Sequence, residues 1–161
     1  MLLIGKGGRA LKPIHLAVIL PTLLGAIMLA DEQSDRQKLI GSWELQGVAE
    51  SSPASTWTFS PAKNLIRVTQ LEGNNNVAEF ACDTNGDPCE IKTAGKKATV
   101  SMWFNGPRLV ILETKGSEVV KRRFKILPQG DVMEMEVIPI VPDGKTETFQ
   151  FKRRQLSARQ E

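Results

Sequence analysis

Residues 118–154 read EVVKRRFKILPQGDVMEMEVIPIVPDGKTETFQFKRR, three apolar or alternating runs separated by two turn signals. Pro142-Asp143-Gly144 has the chemistry of a three-residue hairpin loop, a type I turn closed by glycine in the left-handed region. Placed there, the turn sets Val137 opposite Phe149 and Met135 opposite Phe151. The other face then receives Glu136 opposite Gln150 and Glu134 opposite Lys152. Gln129-Gly130, read separately as a two-residue loop, sets Phe124 opposite Met135 and Ile126 opposite Met133. It also brings Lys125 across from Glu134 and Arg123 across from Glu136, both favourable cross-strand pairs. The two turns agree on one sheet with Phe, Met and Val inward and ion pairs outward. A slip of one residue would carry the charges onto the apolar face, so that face is strongly specified.

The same rhythm extends back through the chain. Gly, Pro, Asn and Asp punctuate short runs, which read as strands at 42–48, 55–60, 64–72, 76–83, 88–93, 97–104, 108–115, 118–127, 131–140 and 146–154. No long segment has helical period. The expected fold is all-β: an antiparallel up-and-down meander closed into a barrel of 8–10 strands, since closure removes exposed edges. A Gly116-Ser117 loop and an Asn105-Gly106 hairpin put Leu109, Ile111 and Glu113 inward with Val100, Met102 and Phe104. Val110 and Leu112 are apolar too, so the alternative register stays open there; facing outward, they would form a patch in need of a partner.

Residues 1–30 differ in kind. Lys6, Arg9 and Lys12 precede a mostly apolar run from Ile14 to Ala30, and Asp31-Glu32 follow. This is the charge order of a secretory signal. Met28 fits a small-x-small cleavage site poorly, so a retained N-terminal anchor is the alternative. The run is somewhat shorter than the about 20 apolar residues of a membrane-spanning helix. Either reading places the body outside the cytoplasm, periplasmic or secreted. Residues 31–40 read as a short helical lead-in, 41–154 as the barrel and 155–161 as a tail.

The formal charge of +3 belongs entirely to the leader; from Asp31 onward 18 basic residues face 18 acidic ones. A neutral body removes nucleic acid as an expected partner. His15, the only histidine, also lies in the leader, and the chain has no tyrosine. Catalysis by Ser-His-Asp or Cys-His and every His-ligated metal site are thereby excluded from the body. The Glu134/Glu136 pair shares a face with Lys125, Arg123 and Lys152, which opposes the raised pKa that an acid catalyst requires. No catalytic residues, metal or cofactor are expected. Cys82 and Cys89 straddle the turn Asp83–Pro88, and in an exported protein they read as a disulfide between adjacent strands. Asp83-x-Asn85-x-Asp87 opens like a calcium loop, but Pro88 and Ala94 stand where an EF-hand needs Gly and Glu.

The body opens with Leu39-Ile40-Gly41-Ser42-Trp43-Glu44-Leu45, a turn running into a first strand through Gly-x-Trp. This resembles the start of lipocalin-like (calycin-type) and fatty-acid-binding-like barrels, including small exported bacterial proteins of that fold. The resemblance implies that Trp43 plugs one end of the barrel and that a basic residue near the end of the last strand packs over it. Arg153, inward and beside Met133 in the register above, matches that position. Departures are the absence of tyrosine and the short Cys82–Cys89 tie.

The expected interior lining is Phe124, Met135, Phe149, Phe151 and Met102. Two polar residues join it: Arg122, opposite Ile111 and Val137, and Glu113, diagonal to it. Arg122 is either an anchor for a ligand carboxylate or the partner of Glu113 in a buried or mouth-side pair. Trp103 is expected outward near Arg108, and the register of Trp57 stays open. The function expected is non-catalytic binding of a small apolar or amphiphilic ligand inside the barrel. The alternative is a filled barrel acting as an envelope-associated interaction protein through an exposed sheet face. The membrane enters only through an uncleaved leader.

Overall fold

The runs of β-branched and aromatic residues form ten strands, and no strand is left with an unpaired edge. A computed structural model describes residues 24–47, 54–93 and 95–155. In chain order the elements are α1 (Leu24–Leu39), β1 (Gly41–Leu45), β2 (Ser55–Ala62), β3 (Leu65–Glu72), β4 (Asn75–Cys82) and β5 (Asn85–Thr93). β6 (Lys96–Asn105), β7 (Arg108–Lys115), β8 (Glu118–Ile126), β9 (Val132–Val141) and β10 (Glu147–Arg153) complete the wall. Each strand pairs antiparallel with its sequence neighbours, and β1 closes the barrel against β10. All ten expected strands are present. Most of the leader, residues 1–23, and the tail 156–161 lie outside the described residues. The helix expected over 31–40 reaches back to Leu24, across the expected leader boundary. No helix among the described residues is long and apolar enough to cross a membrane.

The register of the decisive stretch holds at its first turn and shifts at its second. Phe124 faces Met135, Ile126 faces Met133, Lys125 faces Glu134 and Arg123 faces Glu136, as expected from a Gln129-Gly130 loop. Arg123 Nε and the Glu136 carboxylate are 2.5 Å apart on the outer face. Between β9 and β10 the pairs are instead Val137–Glu147, Met135–Phe149, Glu134–Gln150 and Met133–Phe151. The expected three-residue loop is thus a wider one, and β10 is displaced by two residues. The cause lies two positions past the last pair, where Pro139 has no N–H to give a ladder. The connection folds back over that proline so closely that a Cβ on Gly144 would meet its ring carbons at 3.2 Å. A displacement of two preserves the face: Phe149 and Phe151 stay inward, and Phe151 is 1% exposed.

Further back, Leu109, Ile111 and Glu113 face inward, opposite Phe104, Met102 and Val100. The β6–β7 turn is Gly106-Pro107, one residue beyond the expected position, since Asn105 already pairs with Arg108. Val110 points outward between Trp103 and Arg123 in the register and is nevertheless buried. Exposed large apolar side chains are confined to Ile140 and Val141 among the described residues.

One seam in the wall is thin. β4 and β5 share a single ladder pair, Ala78–Thr93, whereas their other neighbours are paired along most of their length. Four residues along each strand, in the same register, Cys82 and Cys89 form a disulfide with Cα atoms 6.1 Å apart. The covalent bond holds the strands together where the ladder does not. Closing so short a loop stabilises by roughly 2 kcal/mol in the chain-entropy picture. The intervening turn is built by its own side chains: Asp83 accepts from the Asn85 N–H, and Asn85 accepts from the Asp87 N–H at 2.8 Å. This is Asx-turn chemistry rather than a cation loop.

Candidate functional site

The two ends of the barrel differ. At one end Trp43 is fully buried and its indole N–H donates to Leu39 O, at 2.9 Å, tying the end of α1 to the first strand. Arg153 is its neighbour across β1–β10, and its guanidinium lies 4.2 Å over the Trp43 ring. The guanidinium donates to three backbone carbonyls, those of Ile40 (2.8 Å), Lys38 (2.5 Å) and Gly130 (3.3 Å). One side chain thus joins the helix end, the β8–β9 turn and the plug. Burial lowers the Arg153 pKa, because desolvation disfavours its charge. An arginine nonetheless stays protonated over the range in which proteins are folded. Gly41 explains the Gly-x-Trp spacing. Its φ is +142°, and a Cβ there would stand 2.5 Å from Arg153 Nη1. Glycine adopts that φ without strain, and a larger residue would displace the guanidinium.

The half of the barrel next to this plug is filled. Trp57 and Phe59 both face inward and meet Phe124, with ring centroids at 5.1 and 5.2 Å, the latter pair edge-to-face. Met102, Met133, Phe151 and Ile111 close the space around them at 2% exposure or less. Of the expected ligand lining, Phe124, Met135, Phe151 and Met102 are therefore packed core, and Phe149 packs partly buried against it. They form a floor.

Above that floor the mouth is open. A cup of about 300 Å³ is walled by inward-facing residues of β3, β4, β5, β7 and β8, with Arg122 and Glu113 on one side and Ala78 and Thr93 on the other. Arg122 Nη1 donates to Glu113 Oε2 at 2.7 Å, and the pair is about one-fifth exposed on each side. The guanidinium also lies 5.9 Å from the Trp57 ring centroid. Of the two sequence readings for Arg122, the structure realises the pair. A larger groove of about 590 Å³ lies outside the barrel, between α1 and the β2–β3 turn at Lys63 and Asn64. It is a surface cleft bridged by a hydrogen bond from Arg36 to Asn64 O.

Sequence reasoning missed Trp57 and Thr93. For Trp57 the signal was present in Thr56-Trp57-Thr58-Phe59, whose alternation puts both aromatics on one face; only an anchoring turn was lacking. Thr93 carries no signal in sequence, because its importance comes from the seam beside it.

No family model matches the sequence and no curated protein resembles it in sequence. Solved structures do resemble it. The Schistosoma mansoni fatty acid binding protein in complex with arachidonic acid superposes with a TM-score of 0.62 at 14% identity, over 75% of this chain and 99% of that one. Caenorhabditis elegans lipid binding protein 8 gives 0.60 at 10% identity, covering 73% of this chain and 96% of its own. Secretory abundant heat soluble protein 4 from Ramazzottius varieornatus gives 0.59 at 11%, with coverage of 73% and 96%. At such identities the likeness establishes the shared fold and nothing finer.

Proposed function

We propose that the chain is an exported, non-catalytic barrel that binds a small apolar or amphiphilic molecule in the cup at its mouth. The observation that carries this reading is the asymmetry of the barrel. Trp43 and Arg153 seal one end, and the other opens into a cup above the Trp57–Phe59–Phe124 cluster. The site is concave with convergent polar groups, as small-molecule sites are, and its apolar lining is Val77, Ala78 and Val120. Its volume of about 300 Å³ is at the lower edge of such sites. A short chain or a small ring system fits; a long acyl chain does not fit whole. Export is supported by the basic-then-apolar leader and by the disulfide, which persists in oxidising compartments.

A second reading, contact through the outer face, is favoured by Ile140 and Val141, which stand exposed at the end of β9. The neutral fluorescent probe N-phenyl-1-naphthylamine separates the two. Saturable one-to-one binding is expected, lost at least about tenfold in Val120→Trp, which fills the cup, and unchanged in Ile140→Ser. Binding lost in Ile140→Ser and kept in Val120→Trp would move the site to the outer face.

A further inference from the structure

We propose that the cup selects amphiphiles with an uncharged, hydrogen-bonding head (an alcohol or amide) over carboxylates. The inference rests on the cup reading and specifies its ligand class. Five charged residues line the cup: Glu72, Glu113 and Glu118 against Lys115 and Arg122, one negative charge in excess. Of the two cations, Arg122 has its charge met by Glu113 at 2.7 Å and lies 5.9 Å from the Trp57 ring centroid. Lys115 stands directly across from Glu118 in the β7–β8 register. A carboxylate entering the cup thus meets a lining with one negative charge in excess, where Arg122 is already paired. To reach Arg122 it must displace Glu113 and leave that carboxylate in a partly dry wall, where an unpaired charge is costly.

The opposite wall offers a different partner. Thr93 Oγ1 is buried and has no hydrogen-bond partner among the described residues. Thr93 lines the cup on the thin seam, with the Gln70 amide on the neighbouring wall. A hydroxyl both donates and accepts, and an amide does the same. A neutral head carrying either group bonds the Gln70 amide, and the Thr93 hydroxyl once that side chain turns toward the cup, without adding charge. A short apolar tail then lies along Val77, Ala78 and Val120. A site built to hydrogen-bond a head discriminates more sharply than one built only to exclude bulk.

The test compares n-octanol with octanoate, identical in tail and different in head, by native mass spectrometry or calorimetric titration of the native chain at neutral pH. n-Octanol is expected to bind one-to-one and about tenfold tighter than octanoate. Glu113→Gln frees Arg122 and is expected to raise octanoate affinity by about tenfold while leaving n-octanol within about threefold. Thr93→Val, nearly isosteric, is expected to weaken n-octanol by about fivefold. Octanoate binding the native chain as tightly as n-octanol, or more tightly, overturns the head-group inference and leaves the cup reading standing. Binding of neither probe overturns the cup reading itself. The comparison on the native chain decides the matter even if a variant fails to fold, and thermal melts of both variants identify that case.

Discussion

Phe151→Asp abolishes the fold, and Gln150→Asp, one residue earlier, leaves it intact. Phe151 is 1% exposed and sits opposite Met133 on β9 and Leu45 on β1, both on the inner face. Removing a buried phenylalanine costs about 3–5 kcal/mol. Placing a carboxylate among Met133, Phe124 and Trp43 adds several kcal/mol more unless the group is protonated. Together these approach the whole stability of a domain this size, about 5–15 kcal/mol. Gln150 points outward and is exposed, opposite Glu134. An aspartate there meets a like charge across the strands and costs up to about 1 kcal/mol. Urea unfolding followed by far-ultraviolet circular dichroism reads both variants. Equal losses would contradict the inward–outward assignment of β10.

The second large effect belongs to the plug. Arg153→Met removes the donors to Ile40, Lys38 and Gly130 carbonyls and uncovers the Trp43 ring while keeping much of the side chain's bulk. Hydrogen bonds from a charged donor contribute about 1.5–3 kcal/mol when partly buried, and the stacking contributes about 1 kcal/mol. The site borders solvent, so a net loss of about 2–4 kcal/mol is expected. Arg153→Lys recovers little of it, because an ammonium cannot reach three diverging carbonyls and cover a ring at once. Trp43→Ala costs about 3–5 kcal/mol. A double-mutant cycle of Trp43→Ala with Arg153→Met isolates a coupling near 1 kcal/mol. Lys152→Met, exposed and one residue away, serves as the control. If Arg153→Met costs no more than Lys152→Met, Arg153 is a surface charge and the plug is Trp43 alone.

Strands and faces were legible because the period-two pattern is set by burial, and burial is uniform around a closed barrel. Register was less legible. Pro142-Asp143-Gly144 carries ideal local turn chemistry, but Pro139, three residues upstream, ends the ladder before that turn can set it. The faces survived because the displacement is even. The Arg122–Glu113 diagonal followed from two correct turns, at Gly116-Ser117 and Gln129-Gly130. Whether the arginine was paired or waiting for a ligand depended on a distance that no pattern encodes. The thin β4–β5 seam was invisible for a related reason. Asn75–Cys82 and Asn85–Thr93 alternate like any neighbouring strands, and how many ladder bonds they form is decided by the shape of the whole barrel.

Occupancy of the cup is read most directly by native mass spectrometry of the protein purified from its own host, with the disulfide intact. The predicted spectrum contains, beside the bare chain, one species heavier by a single small uncharged amphiphile. That species is released by mild collisional activation and is absent from Val120→Trp prepared the same way. A native chain found only at its bare mass, and remaining there in excess n-octanol, would contradict the binding-barrel account.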